Sequence, residues 1–221
     1  MTRAVAQSFL DQVLAANVAL PRHGLVVGTS GNASARDPDT GLVAIKPSGV
    51  PYASMTADDL VVLDLDGTVV DGRLFPFADT ATHLYLYRER ADIGAVIHTH
   101  STHALAWAAN HEPIPVYFTS IADTFGGPVP CGGYATIGGE QIGAEILRVG
   151  GRSPAVLLAN HGVFCLAADL SRTLHAAVTV EEVAHAALLA RMLGHPREIP
   201  AEEVARQHAF HAEHYGQGDD R

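Results

Sequence analysis

Leu10, Val13, Leu14, Val18 and Leu20 recur at the spacing of one helix face, and Pro21 followed by Gly24 ends the run, which predicts a first helix stopping near Leu20. Three short alternating or turn-rich stretches come next, 28–37, 42–49 and 60–71, and read as strands. The last folds back at Asp66-Gly67 between Val61-Val62-Leu63 and Val69-Val70. Thr80 is placed to cap a helix running to about Arg90; Ala95-Val96-Ile97 is a buried strand leading into His98; Ser101 is placed to cap a helix through Ala109. A Pro- and Gly-rich stretch, 113–133, reads as irregular. Beyond it lie a helical pattern over 139–149, an apolar strand over 155–159 ending at Asn160-His161-Gly162, and a further strand over 163–167. A long helical pattern over 171–193 is stopped by Gly194 and Pro196, and a last helix follows Pro200. Strands and helices mix without strict alternation, so the pattern predicts one layered α/β or α+β domain spanning residues 1–221, with strand order left open.

Composition narrows the function classes. Of 221 residues 48% are hydrophobic and 17% charged, a globular balance. The formal charge of −10, with the basic residues scattered, argues against nucleic acid and anionic membrane as partners. No apolar run reaches the roughly 18 residues a membrane span needs, and residues 1–20 carry Asp11 and Gln12 inside their pattern, unlike a secretion signal. Cys131 and Cys165 are far apart and lack CxxC spacing, which fits a reducing compartment and predicts a cytoplasmic chain.

Histidine carries the candidate chemistry. There are thirteen, and His98-Thr99-His100 follows an apolar strand directly. Residues i and i+2 on a strand face one side, so both imidazoles can reach one cation at the strand's end, although exposed polar residues at a strand end would look the same. His161 ends another apolar strand just before a glycine that permits a sharp turn. Three neutral imidazoles on zinc would leave coordination positions open, as in a catalytic site. His23, His111, His195, His208, His211 and His214 read as surface residues, and His103 and His175 as residues behind the site or in the core. Asp79, at a helix start four residues before His83, reads by itself as a cap.

Several segments in order resemble the class II aldolase and sugar-phosphate epimerase family, its ketopentose-phosphate 4-epimerases above all. They are Leu20-Pro21, Gly28-Thr29-Ser30-Gly31-Asn32-Ala33-Ser34, Lys46-Pro47-Ser48-Gly49-Val50, Met55-Thr56-Ala57-Asp58-Asp59-Leu60, His98-Thr99-His100-Ser101, Asn160-His161-Gly162 and Tyr215-Gly216-Gln217. The resemblance spans almost the whole chain. It implies a three-layer α/β/α domain around a mixed, largely antiparallel sheet. It also implies a divalent metal, zinc first with Mn2+ or Co2+ as alternatives, held by Asp79, His98, His100 and His161.

Asp123, in an Ile-Ala-Asp context that the residues alone would leave as a loop-tip aspartate, matches the family's acid/base. Tyr215, otherwise a tail aromatic, matches a C-terminal tyrosine that donates a proton in a neighbouring subunit's site. The implied assembly is a homotetramer with intersubunit active sites. Gly31, Asn32, Lys46, Ser48 and Gly49 match the family's phosphate pocket, but Phe77 and Ala78 stand where the family has two serines, and the segment 132–143 is shorter than in the epimerases.

The implied reaction is reversible aldol cleavage of a small ketose, ketose phosphate or hydroxyketone through a metal-stabilised enediolate. 4-Epimerisation by the same bond cleavage is the close alternative. Decarboxylation of a 3-keto acid, metal-dependent hydrolysis and a non-catalytic adducin-like module are the others.

Overall fold

The computed structural model describes residues 3–214. In chain order its elements are α1 (Gln7–Arg22), β1 (Asn32–Arg36), β2 (Val43–Ile45), β3 (Val61–Leu63), β4 (Val69–Asp71), α2 (Thr80–Glu89), β5 (Ala95–Thr99), α3 (Thr102–Ala109), α4 (Thr119–Phe125), β6 (Cys131–Gly132), α5 (Gln141–Gly150), β7 (Ala155–Leu158), β8 (Gly162–Ala167), α6 (Leu170–Leu193) and α7 (Ala201–His214). The strands join one sheet in the order β4-β3-β2-β1-β5-β8-β7-β6. Its named ladders are antiparallel except β6–β7, which is parallel.

Strand alternation sorts the core into two halves. Ala33, Ile97, Leu157, Val163 and Cys165 pack in one cluster with residues of α1, α3, α4 and α6. Val96, Val156, Leu158, Phe164 and Leu166 point the other way and pack with Leu84, Leu86 and Tyr87 of α2 and Ile142 and Ile146 of α5. Helices therefore cover both faces, giving three layers around a mixed, largely antiparallel sheet. Full burial of a side chain such as Ile97 or Phe164 contributes about 1.5–3 kcal/mol, so the central ladder β5–β8 is a stiff base for whatever sits at its end.

β1 is pinned from both sides. The Asn17 amide of α1, fully buried, accepts from Ala33 N at 2.8 Å and donates to Ala33 O and Val13 O at 2.9 Å. On the opposite face Ser34 Oγ lies 2.7 Å from both His83 Nδ1 and Tyr87 Oη of α2. These contacts fix Asn32, one residue away, against β5.

Several boundaries differ from the sequence pattern. α1 runs two residues beyond Leu20, because Pro21 near a helix end removes only one N–H and its fixed φ is helical. The first strand begins at Asn32; residues 28–31 turn instead, with Gly28 and Gly31 at positive φ. Thr80 is the first helical residue of α2 and not its cap, and its hydroxyl donates to Phe77 O at 2.6 Å. Ser101 holds the cap position of α3, yet its side chain makes no capping bond. The stretch 113–133 contains α4 and β6.

Candidate metal centre

His98 lies on β5, on the face covered by α2 and α5, directly opposite Phe164 in the β5–β8 ladder and Asn32 in the β1–β5 ladder. Its ring stacks on Phe164 with centroids 4.1 Å apart. His98 Nδ1 donates to Val163 O at 3.0 Å, and since a carbonyl only accepts, the proton sits on Nδ1 and Nε2 carries a lone pair. That Nε2 is 2.9 Å from His100 Nε2 and 3.7 Å from Asp79 Oδ2.

His161 is brought in by the β7–β8 turn. Asn160 takes a left-handed conformation at φ 59°, and His161 N donates to Leu158 O at 3.0 Å. The next residue has to be glycine: a Cβ on Gly162 would lie 2.5 Å from Thr99 O and 2.9 Å from His100 Cδ2. Gly31 plays the same part beside β5, where a Cβ would meet His98 O at 2.8 Å while φ is +71°. Potential ligand atoms of His98, His100 and His161 consequently lie within 4.8 Å of one another. Nitrogens of a tetrahedral zinc site with bonds near 2.0–2.1 Å stand about 3.4 Å apart, so the cluster has the right scale.

Electrostatics favours a cation here. Burial, reinforced by His100 and His161, holds the His98 imidazole well below its ordinary range. Burial, and then His100, lowers His161 to about 4; burial lowers His100 as well. All three are neutral at pH 7 and have lone pairs to give. Burial raises Asp79 to about 6, the signature of a carboxylate with no cationic neighbour in the protein. Asp79 Oδ1 and His161 Nδ1 are buried without a hydrogen-bond partner. Three imidazole nitrogens, one carboxylate and unpaired buried atoms together fit a divalent ion such as zinc.

Asp79 occupies the N-cap position of α2, as the sequence suggests, but its side chain caps nothing. Its carboxylate faces the histidines instead.

Of the residues matched to a substrate pocket, Asn32 stands opposite His98 in its ladder, and Phe77 and Ala78 directly precede Asp79. The Asn32 amide is fully buried with neither atom partnered. Lys46 Nζ donates to Thr29 O and Pro47 O, each at 3.2 Å, and burial lowers its pKa to about 8. Ser48 and Gly49 lie in the loop beyond β2, where Gly49 adopts a φ of +70°. Phe77 packs on Ile45, Val61 and Leu63, and Ala78 is exposed.

One predicted catalytic residue, Asp123, is not at the cluster, and another lies outside the described residues. Asp123 is in α4 and not at a loop tip; α4 belongs to the helical layer on the other face of the sheet from His98. Asp123 shares a cavity with Pro154, Ala167 and Arg172, toward the Ala95–Ala167 end of the β5–β8 ladder, whereas the histidines sit at the Thr99–Val163 end. Tyr215 lies outside the described residues. Of the other histidines, His103 pairs with Glu181 at 2.8 Å and stacks on His185. His208 Nδ1 donates to Asp123 O at 2.9 Å.

Sequence reasoning does not find Phe164, Val163 O or Asn17. Only Phe164 leaves a trace, as an aromatic two residues beyond the His161-Gly162 turn.

Similarity to known proteins extends over nearly the whole chain. Residues 11–188 match the family model described as the class II aldolase and adducin N-terminal domain. The chain is 42% identical over 229 residues to the L-ribulose-5-phosphate 4-epimerase UlaF of Salmonella paratyphi B, covering 96% of this chain and 99% of that protein. Among solved structures it resembles an L-fuculose 1-phosphate aldolase (TM-score 0.88, 33% identity, 93% and 96% of the two chains). It also resembles the L-fuculose-1-phosphate aldolase of Thermus thermophilus (TM-score 0.73, 25% identity, 85% and 96% covered).

Proposed function

The chain belongs to the class II aldolase and adducin family, and from that membership and the metal centre we propose that it catalyses reversible aldol cleavage of a small ketose or ketose phosphate. One observation carries the reading: three neutral imidazoles and a buried carboxylate with one unpartnered oxygen meet beside an unpaired buried amide, Asn32. A divalent ion held by Asp79, His98, His100 and His161 would supply a Lewis acid for the ketone oxygen and its neighbouring hydroxyl, lowering the cost of the negative charge that appears when the adjacent carbon–carbon bond breaks. Zinc is the ion we assign, with Mn2+ or Co2+ as substitutes.

The protein's own groups do the rest. Asn32 fixes the orientation of a substrate oxygen. The Asp123 carboxylate takes the hydroxyl proton as the bond to that carbon opens, and the Tyr215 phenol returns a proton to the other fragment. Within one chain Asp123 lies across the sheet from the histidines, so we assign it and Tyr215 to a neighbouring copy's site, in a homotetramer with intersubunit active sites. We further read residues 1–221 as one domain acting in the cytoplasm. The single sheet and the two free thiols, Cys131 and Cys165, support this. Among the described residues no helix is long and apolar enough to cross a membrane.

The 42% identity to a 4-epimerase favours a second reading, in which the aldehyde fragment stays, turns and is recaptured on its other face. Product analysis by NMR separates the two. Free aldehyde and a shorter ketone from metal-loaded enzyme support the aldolase, whereas a 4-epimer with no free aldehyde replaces it by the epimerase. Inertness toward every ketose and ketose phosphate would remove both.

A further inference from the structure

The three imidazoles of the cluster are held in different ways. His98 sits inside the β1–β5 and β5–β8 ladders, and His161 is set by the turn at Asn160. His100 lies beyond both supports: β5 ends at Thr99, paired with Val163, and His100 is the first residue after it. Its place therefore depends on what holds the chain on its other side, where Ser101 and α3 follow directly.

A helix start built locally would use the Ser101 hydroxyl, because an N-cap serine accepts from the second or third amide of its helix. Ser101 stands at that position with extended backbone, yet its Oγ is buried without a partner. A carboxylate 78 residues away from His103 takes over the task. Glu181 Oε1 accepts from His103 N at 3.0 Å and from His103 Nδ1 at 2.8 Å; Glu181 Oε2 accepts from Ala104 N at 3.0 Å and lies 3.2 Å from His103 N. Those two amides are the second and third of α3 and have no acceptor within the helix. A negative charge there also meets the positive end of the helix dipole.

The clamp is firm at its other end. Glu181 is in the middle of the 24-residue α6, and its side chain is 16% exposed, so water competes little for its oxygens. One turn further along α6, the His185 ring stacks on His103 with centroids 3.9 Å apart. The Trp107 indole N–H donates to Ala184 O at 3.0 Å, which ties the later part of α3 to the same helix.

We propose that Glu181 is a positioning residue for the metal ligand His100: by clamping the first turn of α3 to α6, its carboxylate sets where the chain leaves β5 and so where the His100 imidazole stands relative to His98 and His161. Glu181 acts only through His100. The inference rests on the metal reading of the cluster and is independent of which ketose is cleaved.

Chelator competition measures zinc affinity, and the visible absorption of the Co2+-loaded protein reports the arrangement of ligands around the ion. Both are read on protein shown to be folded by circular dichroism, so a purely structural role for Glu181 would move neither. Glu181→Gln keeps the side chain's size and one acceptor oxygen but removes the charge. It is expected to weaken zinc binding about tenfold and to shift the Co2+ spectrum, and Glu181→Ala to do so at least as strongly. Glu182→Gln makes the same charge change at the exposed neighbour and should alter neither readout. Wild-type affinity and spectrum in the folded Glu181 variants overturn the proposal, as does an equal loss in Glu182→Gln. Should the Glu181 variants not fold, amide exchange in the wild-type protein decides. Coupling between clamp and metal is reciprocal, so zinc should slow exchange at His103 and Ala104 about tenfold relative to the amides of α5; no relative slowing overturns the proposal. A wild-type protein that binds no zinc removes the metal reading and this inference with it, whereas wild-type zinc binding with indifferent Glu181 variants removes this inference alone.

Discussion

His111 Nε2 donates to Asn160 Oδ1 at 2.5 Å, and these are the two non-glycine residues with positive φ among the described residues, at 57° and 59°. Each left-handed residue costs of order 1 kcal/mol or more, so the bond between them holds a turn that would otherwise relax. The turn carries His161. Asn160→Ala and His111→Ala are expected to weaken zinc binding by about tenfold, the lower end of what outer-layer partners of metal ligands contribute. Competition with a chromophoric chelator measures it, and unchanged affinity in both variants contradicts the latch.

Gly162 lies where the two histidine-bearing segments pass close together. A Cβ there falls 2.5 Å from Thr99 O, a backbone atom that cannot swing away. Gly162→Ala is expected to lose metal and to cost about 2–3 kcal/mol of stability, within the range for backbone clashes. Urea titration and metal analysis report the two effects.

Asp79 binds a proton below about pH 6 in the metal-free protein, and His161 joins it near pH 4. The metal has to displace those protons. Affinity should therefore be flat above pH 6 and fall about tenfold per pH unit below it, more steeply toward pH 4. A pH-independent affinity between 4.5 and 6 would rule out Asp79 as a ligand.

The same carboxylate should be a burden to the metal-free fold. Its pKa is raised from 3.8 to about 6, so the folded state holds its proton longer than the unfolded one, and the resulting penalty grows between pH 3.8 and 6 and is complete above that. The shift corresponds to about 3 kcal/mol as an upper figure. Asp79→Asn should raise the melting temperature of the metal-free protein at pH 7.5 while weakening metal binding. A variant less stable without metal would mean that Asp79 serves the fold.

Asp123→Asn should abolish turnover with normal metal content, and His98→Ala should abolish it through metal loss. If active sites are shared between copies, unfolding and reassembling the two inactive proteins together should restore part of the activity. No recovery in verified mixed oligomers would contradict a site shared between copies, and an Asp123→Asn variant with wild-type turnover would place Asp123 outside the chemistry.

How much of this was legible in the chain depended on how local the cause is. His98 and His100 stand out because i and i+2 on a strand face one side, and His161 because a glycine follows a strand end. Asp79 is ambiguous in sequence, since an aspartate at a helix start is also what capping would select; only the geometry turns its carboxylate toward the imidazoles. α4 was hidden by Pro113, Pro115, Gly126, Gly127, Pro128 and Pro130, which punctuate the stretch around seven helical residues, and β6 has two residues, too few to show a period. The bonds of Asn17 to Ala33 and of His83 to Ser34 join residues 16 and 49 positions apart, and no local pattern encodes such pairings.

Metal content is the most direct test of the histidine centre. Protein prepared without added chelator should carry about one divalent ion per chain by elemental analysis, as a single catalytic site requires. The His98→Ala protein, folded by circular dichroism, should carry essentially none and be inactive. A folded His98→Ala variant that retains the wild-type metal content, or wild-type protein fully active after exhaustive chelation, would contradict it.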